Sequence, residues 1–560
     1  MYLNTKLEDF KGNIKVAFIG CGKFISMFLS QYNQLTKIKI DSIIDLKIDT
    51  AKKNCLNSGL SNEQIKEINF ASSLDEVIDR DIDIFIEATG NPIVGTVHAD
   101  KILRKKKHLI LVNVEADVTC GKYLSDLAKQ NNVICSMAYG DQPSLILEQI
   151  EWAKLNGFSV VCAGKGTKYH PTFEYSTPDT VWDHYGLSKE RAEIDSGMNP
   201  KMFNSFLCGD KSAIEMCAVS NASNLKCPKN GLTFPPIGVY DIAKKLIPKS
   251  YGGLIDYEGQ VEVISSIDIK KKDIPNDLRW GVYIVIKAKN QYVKNCFKDY
   301  GMVTDSSGNY SAIWRPYHYI GLELAQSIYS IALENKATGF TKYYNAEVAS
   351  YAKKNLKVGE RLDGEGGYCV RGKLINSKKS KEEKILPLGL TDGAITKKNI
   401  NTYSRMKISI VTTYYNRWPQ FEATLKRFNK LYKGRHDWDL VVVDDCSDDE
   451  HALTKERLKF CDFNIQVVQM PPEKKYCNPC VPFNVGFVHA YGEVVLIQNP
   501  ECTHYDNILD DCLKLEDNEY RVYSCFSANP EQTEEIKKSA PELDNIFEGN
   551  TKSASRDGSF

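Results

Sequence analysis

Short apolar runs alternate with amphipathic stretches over the first 140 residues. The runs lie at Ile14–Ile19, Ile38–Ile44, 68–70, 82–88, 108–114 and 133–138. Runs without polar alternation, separated by segments long enough for a helix, are typical of strands that are buried on both faces of a parallel sheet. The pattern therefore predicts an α/β fold that opens with a doubly wound Rossmann domain over residues 1–140.

Three further regions differ from the first in their pattern of hydrophobic, polar and glycine residues. Residues 141–343 mix strand and helix patterns without regular alternation, which predicts an α+β substrate and catalytic domain. Residues 344–400 are rich in glycine and carry a charged insert at 377–384, so we expect short strands joined by turns. A polar stretch at 397–407 then gives way to a buried strand at 408–413, so we place a boundary near residue 404 and a further α/β domain over 405–560.

Composition narrows the class of protein. The 560 residues contain 72 Lys+Arg and 72 Asp+Glu, so no basic field is available to bind nucleic acid. No uninterrupted apolar run reaches the roughly 18 residues of a membrane span, and the first ten residues show no secretory signal. Most of the 17 cysteines stand singly, which favours reduced thiols and a cytoplasmic location. The one close pair, Cys477 and Cys480, is interpreted as structural rather than metal-binding.

The first strand runs into a glycine-rich turn that predicts a dinucleotide site. Small residues there let the backbone approach a pyrophosphate at a helix N-terminus, although Ile25 replaces the third glycine of the usual motif. Asp45 follows the second strand, where a carboxylate accepts hydrogen bonds from ribose hydroxyls. The predicted cofactor-binding residues are Gly20, Gly22, Lys23, Phe24, Asp45, Thr89 and Gly90. Asp45 favours NAD over NADP, while Lys47 leaves NADP open.

Several longer motifs carry a family resemblance. They are Asn-Val-Glu-Ala-Asp-Val-Thr at 113–119, Gly-Asp-Gln-Pro at 140–143, Gly-Lys-Gly-Thr-Lys-Tyr at 164–169, Ser-Thr-Pro-Asp-Thr-Val-Trp at 176–182 and Arg-Pro-Tyr-His at 315–318. With the glycine-rich turn, they resemble the homoserine-dehydrogenase-like NAD(P) oxidoreductases that end in a SAF domain. That group includes enzymes similar to 1-deoxy-D-xylulose 5-phosphate reductoisomerase. The resemblance covers about residues 5–400 and implies a SAF-like β-clip over 344–400.

Hydride transfer at a carbinol needs a proton carrier and groups that hold the developing alkoxide. True homoserine dehydrogenases carry a lysine after the fifth strand, whereas this sequence has Glu115 there, which argues against homoserine as substrate. The resemblance aligns Lys211 with the second lysine of that family. The other catalytic candidates are Lys165, Lys168 and Glu215.

The substrate-binding candidates are Asp179, Arg315 and His318. Asp179, like Glu215, has the chemistry to orient a lysine or a divalent ion. Arg315 and His318 are one turn apart if Arg315 starts a helix, and they would then grip a phosphate or carboxylate. The alternative for Arg315 and His318 is a buried ion pair that holds the SAF module.

These observations predict an NAD(P)-dependent oxidoreductase acting on a small polyol, sugar or sugar phosphate. The alternative within the same half is an NADPH-dependent reductoisomerase of a sugar phosphate, which needs the same hydride geometry. We expect the oxidoreductase part to form a homo-oligomer.

The last region resembles the family-two glycosyltransferases. A strand at 408–413 leads to a polar turn and an amphipathic helix at 420–431, and a second strand at 439–443 ends in acidic residues suited to a nucleotide-sugar. The predicted nucleotide-sugar residues are Thr413, Asn416, Asp444 and Asp445. The family's D-x-D metal motif is replaced by Asn-Pro-Glu at 499–501, which leaves Glu501, with His504, to hold Mn²⁺ or Mg²⁺.

The acceptor half of such a transferase is missing after Glu501. Either the module is truncated, or it is a degenerate binder of nucleotide-sugars. A third hypothesis makes the whole chain a glycan-assembly protein whose oxidoreductase tailors the sugar, because two modules on one chain raise each other's effective concentration.

Overall fold

The computed structural model describes residues 3–195, 198–400, 408–435, 437–470, 478–490, 492, 494–504, 506–515 and 519–523. The chain divides into two compact units, Met1–Thr402 and Tyr403–Phe560. Within the described ranges, no helix is long and apolar enough to cross a membrane. Cys477, Lys407 and the polar tail at 549–560 lie outside the described residues.

The first sheet has six parallel strands in the order β3-β2-β1-β4-β5-β6. The strands are β1 Ile14–Ile19, β2 Ile38–Ile44, β3 Asn69–Ala71, β4 Ile84–Glu87, β5 His108–Leu111 and β6 Cys135–Met137. This order is that of the dinucleotide-binding Rossmann fold. The prediction of a doubly wound α/β domain is therefore confirmed.

Helices cover both faces of this sheet. They are α1 Leu3–Asp9, α2 Lys23–Leu29, α3 Ile48–Asn57, α4 Asn62–Glu67, α5 Pro92–Arg104 and α6 Val114–Gln130. The next helix, α7 Gln142–Leu155, packs instead on the second sheet. Alternate residues of β1 enter opposite cores: Val16 and Phe18 pack with α2 and α3, while Ala17 and Ile19 pack with α5 and α6. Burial on both faces is why these strands read as continuous apolar runs.

Three strands are shorter than the hydrophobic runs predict. The run at 82–88 yields only β4, the run at 108–114 yields only β5, and the run at 133–138 yields only β6. The second run ends early because the Asn113 side chain accepts a hydrogen bond from the Ala116 amide at 3.0 Å and so caps α6. The apolar Val114 belongs to that helix rather than to the strand.

The second sheet has four strands in the order β10-β9-β7-β8. They are β7 Ser159–Thr167, β8 Gln260–Ser265, β9 Val282–Lys287 and β10 Tyr310–Arg315, and only the β7–β8 pair is parallel. The accompanying helices are α8 Val181–Tyr185, α9 Pro200–Leu207, α10 Asp210–Ser223, α11 Ile242–Lys245, α12 Gln291–Asp299 and α13 Ala325–Glu334, with a π-helix at Glu190–Asp195.

Helix α10 is the central element of the first unit. Every one of its 14 residues except Lys211 is buried. It packs on α6 and α7, on β8, and on two later strands, β11 Ala346–Ala352 and β12 Val370–Asn376. A helix buried all round must pair each of its charged side chains inside the protein.

Residues 344–400 contain an antiparallel pair, β11 Ala346–Ala352 and β12 Val370–Asn376. The charged insert forms a helix, α14 Ser377–Glu382, rather than a turn, because the Asn376 side chain accepts a hydrogen bond from the Lys378 amide and caps it. Short 3-10 helices in this unit lie at Tyr32–Gln34, Leu74–Glu76, Pro171–Tyr175, Val239–Asp241, Lys249–Tyr251 and Leu388–Leu390.

The second unit contains a parallel sheet in the order β15-β14-β13-β16. Its strands are β13 Ile408–Tyr414, β14 Trp438–Asp444, β15 Asn464–Gln469 and β16 Val494–Gln498. Its helices are α15 Trp418–Leu431, α16 Lys455–Leu458, α17 Cys480–His489 and α18 Ile508–Cys512. The strand and helix predicted from 408–431 and the strand predicted at 439–443 are confirmed.

Candidate active site

The turn between β1 and α2 has the shape of a dinucleotide loop. Gly20 adopts φ 87°, and a Cβ there would lie 2.9 Å from the Ala88 carbonyl oxygen, so only glycine fits. Gly22 is the N-cap residue of α2 and offers no side-chain acceptor, so the amides of the first turn have no side-chain cap. Lys23 is exposed and Phe24 is half-buried at the start of that helix.

Asp45 lies beside this loop at the end of β2. Its carboxylate accepts hydrogen bonds from the Cys21 amide at 2.9 Å and from the Lys47 amide at 2.8 Å. These contacts fix the carboxylate against the loop while each oxygen keeps a second lone pair. The predicted residues Gly20, Gly22 and Asp45 are thus brought together.

The turn after β4 reaches the same edge of the sheet. Thr89 donates to the fully buried Glu87 at 2.5 Å, and Gly90 is exposed at φ 69°. The Asn113 amide donates to the Asn91 carbonyl at 2.9 Å, which ties this turn to the start of α6. The carboxyl edge of an open α/β sheet is where ligands of such folds bind.

Lys211 lies in the first turn of α10, where its ammonium contacts Glu115 at 2.5 Å. Glu115 belongs to the first turn of α6, directly after β5. Burial alone would lower the pKa of Lys211, but the negative charges around it, above all that of Glu115, raise its pKa well above the usual range. Lys211 therefore stays protonated and suits the stabilisation of an alkoxide.

One turn further along α10, Glu215 forms an ion pair with Lys165 of β7. The two side chains are only 4% and 3% exposed for Lys165 and Glu215 respectively. Asp141, which caps α7, is buried nearby, and burial together with the charge of Glu215 raises its pKa. We call Glu115, Asp141, Lys165, Lys211 and Glu215 the lysine–carboxylate cluster.

A loop of residues 363–369 approaches the cluster from the third region of this unit. The Asp210 carboxylate accepts hydrogen bonds from the Gly366 amide at 2.9 Å and from the Gly372 amide at 2.7 Å. Glu365, which precedes Gly366 in this loop, is half-buried. Burial and the charge of Glu115 raise the pKa of Glu365 to about 8, although Lys211 acts in the opposite direction.

Lys168 and Asp179 do not join the cluster. Lys168 follows β7, donates to the His184 carbonyl at 2.7 Å and lies over the Tyr185 ring. Burial and the charge of Arg279 lower its pKa. Asp179 is exposed and hydrogen-bonds with Tyr368.

Two expectations about Arg315 are wrong. It is the last residue of β10, paired with Val282 of β9, so it does not start a helix. Its guanidinium forms an ion pair with Glu323, so it does not hold the 344–400 region. His318 hydrogen-bonds to the Trp280 carbonyl at 2.6 Å, and its charge lowers the pKa of Asp141. His318 is therefore within electrostatic reach of Asp141 in the cluster.

Sequence reasoning did not assign a role to Glu115, Asp141 or Glu365. The available signal was at 113–115, where this sequence has Glu115 in place of the lysine that homoserine dehydrogenases carry. That substitution left the remaining lysine, Lys211, in need of a carboxylate partner.

In the second unit, the predicted nucleotide-sugar residues gather at the carboxyl ends of β13 and β14. Thr413 is the penultimate residue of β13. Asp444 is buried and accepts from the Ser447 amide at 3.0 Å. The Asp445 amide donates to the Tyr414 carbonyl at 2.8 Å, and the Asn416 side chain is hydrogen-bonded to Asp448.

The predicted metal pair of this unit is not supported. His504 is buried against Phe428, and its ring nitrogens contact the Tyr432 hydroxyl at 2.5 Å and the Gln498 amide oxygen at 2.6 Å. With both nitrogens engaged in the core, the assignment of His504 as a ligand is wrong. Glu501 pairs with Arg417 at 3.0 Å. Across the described ranges, no group of three metal-ligating side chains comes together.

Comparison with known proteins finds one family match in each unit. Residues 140–324 match the family model described as the catalytic domain of oxidoreductase DRL, and residues 409–555 match that of glycosyl transferase family 2. With the Rossmann sheet that precedes it, the first match confirms the prediction of an NAD(P)-dependent oxidoreductase. The second confirms a family-two glycosyltransferase domain on the same chain.

Solved structures show more distant similarity. An oxidoreductase from Bacillus cereus is 14% identical over 57% of this chain and 89% of its own, with a TM-score of 0.30. TarS from S. aureus is 29% identical over 19% of each chain, with a TM-score of 0.18. The WlbA dehydrogenase from Bordetella pertussis, in complex with NADH and UDP-GlcNAcA, is 14% identical over 29% of this chain and 49% of its own, with a TM-score of 0.22. No curated protein matches the chain.

The buried His504 predicts a pH-dependent stability of the second unit. Burial lowers its pKa from 6.5 to about 4, so between these values the unfolded chain binds a proton that the folded one excludes. The free energy of unfolding keeps its full value above pH 6.5 and falls by up to about 3 kcal/mol as the pH decreases to 4.

Hydrogen exchange of peptides covering β13 and β14 between pH 7.5 and 4.5 would measure this effect, after correction for intrinsic exchange rates. His504→Phe removes the titrating ring and should flatten the dependence, whereas His489→Phe, at the end of α17, serves as the control. An unchanged slope in His504→Phe would contradict the assignment.

Proposed function

We propose that residues 1–400 catalyse reversible hydride transfer between a nicotinamide cofactor and a small polyol, sugar or sugar phosphate. The observation that carries this proposal is the contact between Lys211 and Glu115, which sets a protonated lysine at the carboxyl edge of the Rossmann sheet. An ammonium held there stabilises negative charge on a substrate oxygen. We retain the division at residues 140, 343 and 400, and a SAF-like module over 344–400, as part of the proposal.

The residues of the loop fit a dinucleotide. The uncapped start of α2 offers amides to a pyrophosphate, and Asp45 is fixed where it accepts hydrogen bonds from a ribose. A bound nicotinamide would supply or accept the hydride. Thr89 and Gly90 line the same edge, and the proposed catalytic groups are Lys211, Lys165 and Glu215, with Lys165 and Glu215 orienting α10 and its lysine.

Two cations outside the lysine–carboxylate cluster favour a phosphate on the substrate. Lys168 and Arg279 are close enough that the charge of Arg279 lowers the pKa of Lys168, after the larger effect of burial. The Lys168 ammonium donates to the His184 carbonyl, and the charge of Asp273 raises its pKa by less than burial and Arg279 lower it. Two cations in this arrangement suit a phosphate, so a sugar phosphate is the preferred substrate. A reductoisomerase acting on the same class of compound remains the alternative.

NAD is the preferred cofactor, because a 2′-phosphate would bring about two negative charges against Asp45. Asp45→Ala should weaken NADH binding roughly 10- to 150-fold, since hydrogen bonds to a charged acceptor contribute about 1.5 to 3 kcal/mol. NADPH affinity should change little or rise. Fluorescence titration of both cofactors tests this, with Asp49→Ala of α3 as the control. Tighter binding of NADPH to the wild type, with equal losses for both cofactors in Asp45→Ala, would refute the ribose assignment.

Lys211→Met should lower turnover about 100-fold or more, because an electrostatic stabiliser of the alkoxide is lost, while NADH binding stays unchanged. The assay uses NADH and NADPH with aldose phosphates, ketose phosphates and free polyols, followed by product identification. Lys244→Met, an exposed lysine of α11, is the matched control. A product with a rearranged carbon skeleton would favour the reductoisomerase.

For the second unit we propose nucleotide-sugar binding at Thr413, Asn416, Asp444 and Asp445, with glycan assembly by the whole chain as the alternative function. UDP-sugars or GDP-sugars with Mn²⁺ should raise the melting temperature of the second unit. Asn416→Ala should abolish the shift, and Asn429→Ala on α15 should keep it. No shift with either class of donor would exclude a donor site here.

A further inference from the structure

The site contains a carboxyl group that the proposed chemistry has not yet used. Lys211 is held as a cation by Glu115 and its neighbours, so it gives up a proton reluctantly. Reduction of a carbonyl nevertheless needs a proton on the product oxygen. Another group must therefore deliver it.

The loop at 363–369 is fixed in place rather than loosely covering the site. The Asp210 carboxylate binds the Gly366 amide, and the Lys353 ammonium donates to the Gly367 carbonyl at 3.0 Å. The Asn204 amide donates to the Gly366 carbonyl at 2.8 Å. Gly366 has φ 65°, and a Cβ there would lie 2.1 Å from the Lys201 carbonyl oxygen, so the loop presses directly on α9.

These contacts set Glu365 beside the start of α10. Asp210 accepts a hydrogen bond from the residue that follows Glu365, and Asp210 itself precedes Lys211. The groups that face Glu365 are Glu115 of α6, Asp210 and Lys211 of α10, and the Ser205 hydroxyl of α9. Glu365 is thus one of four carboxylates whose charges act on the Lys211 ammonium, with Glu115, Asp141 and Glu215. Crowded carboxylates favour a retained proton on one of them.

We propose that Glu365 is the proton donor to the substrate oxygen in the reduction catalysed by this site. This inference rests on the proposed oxidoreductase function. As hydride reaches the carbonyl carbon, the C=O π pair moves to oxygen, and Lys211 holds the resulting charge. The O–H bond of the Glu365 carboxyl breaks and a new O–H bond forms on the product. A bound nicotinamide would supply the hydride and so balance the reduction of the carbonyl by its own oxidation. Glu365 recovers a proton from water.

The pKa of Glu365, raised to about 8 chiefly by burial, agrees with this role because the group is protonated at neutral pH and still able to release its proton. A general acid works best when its pKa lies near the working pH. Reduction should consequently slow as the pH rises above about 8, where Glu365 becomes ionised.

Glu365→Gln tests the proposal because it keeps the shape of the side chain and removes its acidity. The control is Glu360→Gln, on the same segment, since the half-buried Glu360 pairs with the exposed Lys354 away from the lysine–carboxylate cluster. Infrared difference spectra of the full chain with NADH should show a protonated-carboxyl band up to about pH 8 that Glu365→Gln loses and Glu360→Gln retains. Reduction of the panel compounds by Glu365→Gln should be about 100-fold slower or more and independent of pH near 8.

NADH binding separates this proposal from the one on which it rests. Equal NADH affinity in the wild type and Glu365→Gln shows that the cofactor site and the fold are intact. Failure of the wild type to bind NADH or NADPH would refute the proposed function itself. With binding intact, an unchanged infrared band or a wild-type rate and pH profile in Glu365→Gln would overturn the role of Glu365.

Discussion

The first unit depends on the burial of α10. A charge in the interior of a protein is costly unless it is paired, so each charged group on this helix fixes another part of the chain. Asp210 binds the loop at 363–369, and Glu215 binds Lys165 of the second sheet. Lys211 binds Glu115 of the Rossmann domain. One helix therefore binds three regions of the unit through its charged side chains, and the candidate site lies where these regions meet.

Much of the architecture was predictable from the sequence. The Rossmann strands are buried on both faces, so their apolar runs are continuous and easy to recognise. The ends of those strands were less predictable, because a single cap at Asn113 moves Val114 from strand to helix. The same local effect at Asn376 turns a charged insert into α14. Side-chain caps act over three residues and leave little trace in hydrophobic periodicity.

The site was predictable only in part. Lys211, Lys165 and Glu215 were named as candidates, but their surroundings were not predictable, since Glu115 lies 96 residues from Lys211 along the chain. A contact over that distance is fixed by tertiary packing rather than by spacing. The prediction of His504 as a metal ligand was wrong for a related reason. Its position after Glu501 suggested a ligand, whereas the folded chain places its ring in the aromatic core. Motif position indicates what a side chain can do, and burial decides whether it is available.

The anchoring of residues 363–369 by Asp210 has a consequence for modularity. A chain ending at residue 343 would keep the Rossmann and mixed sheets but would leave a buried carboxylate without the two backbone amides that it now binds. It would also uncover the apolar faces of α10 that β11 and β12 cover. The segment after residue 343 thus cannot be exchanged independently of the region before it. In relatives, insertions and exchanged domains are accordingly expected near residue 404, where the two compact units divide, rather than near residue 343.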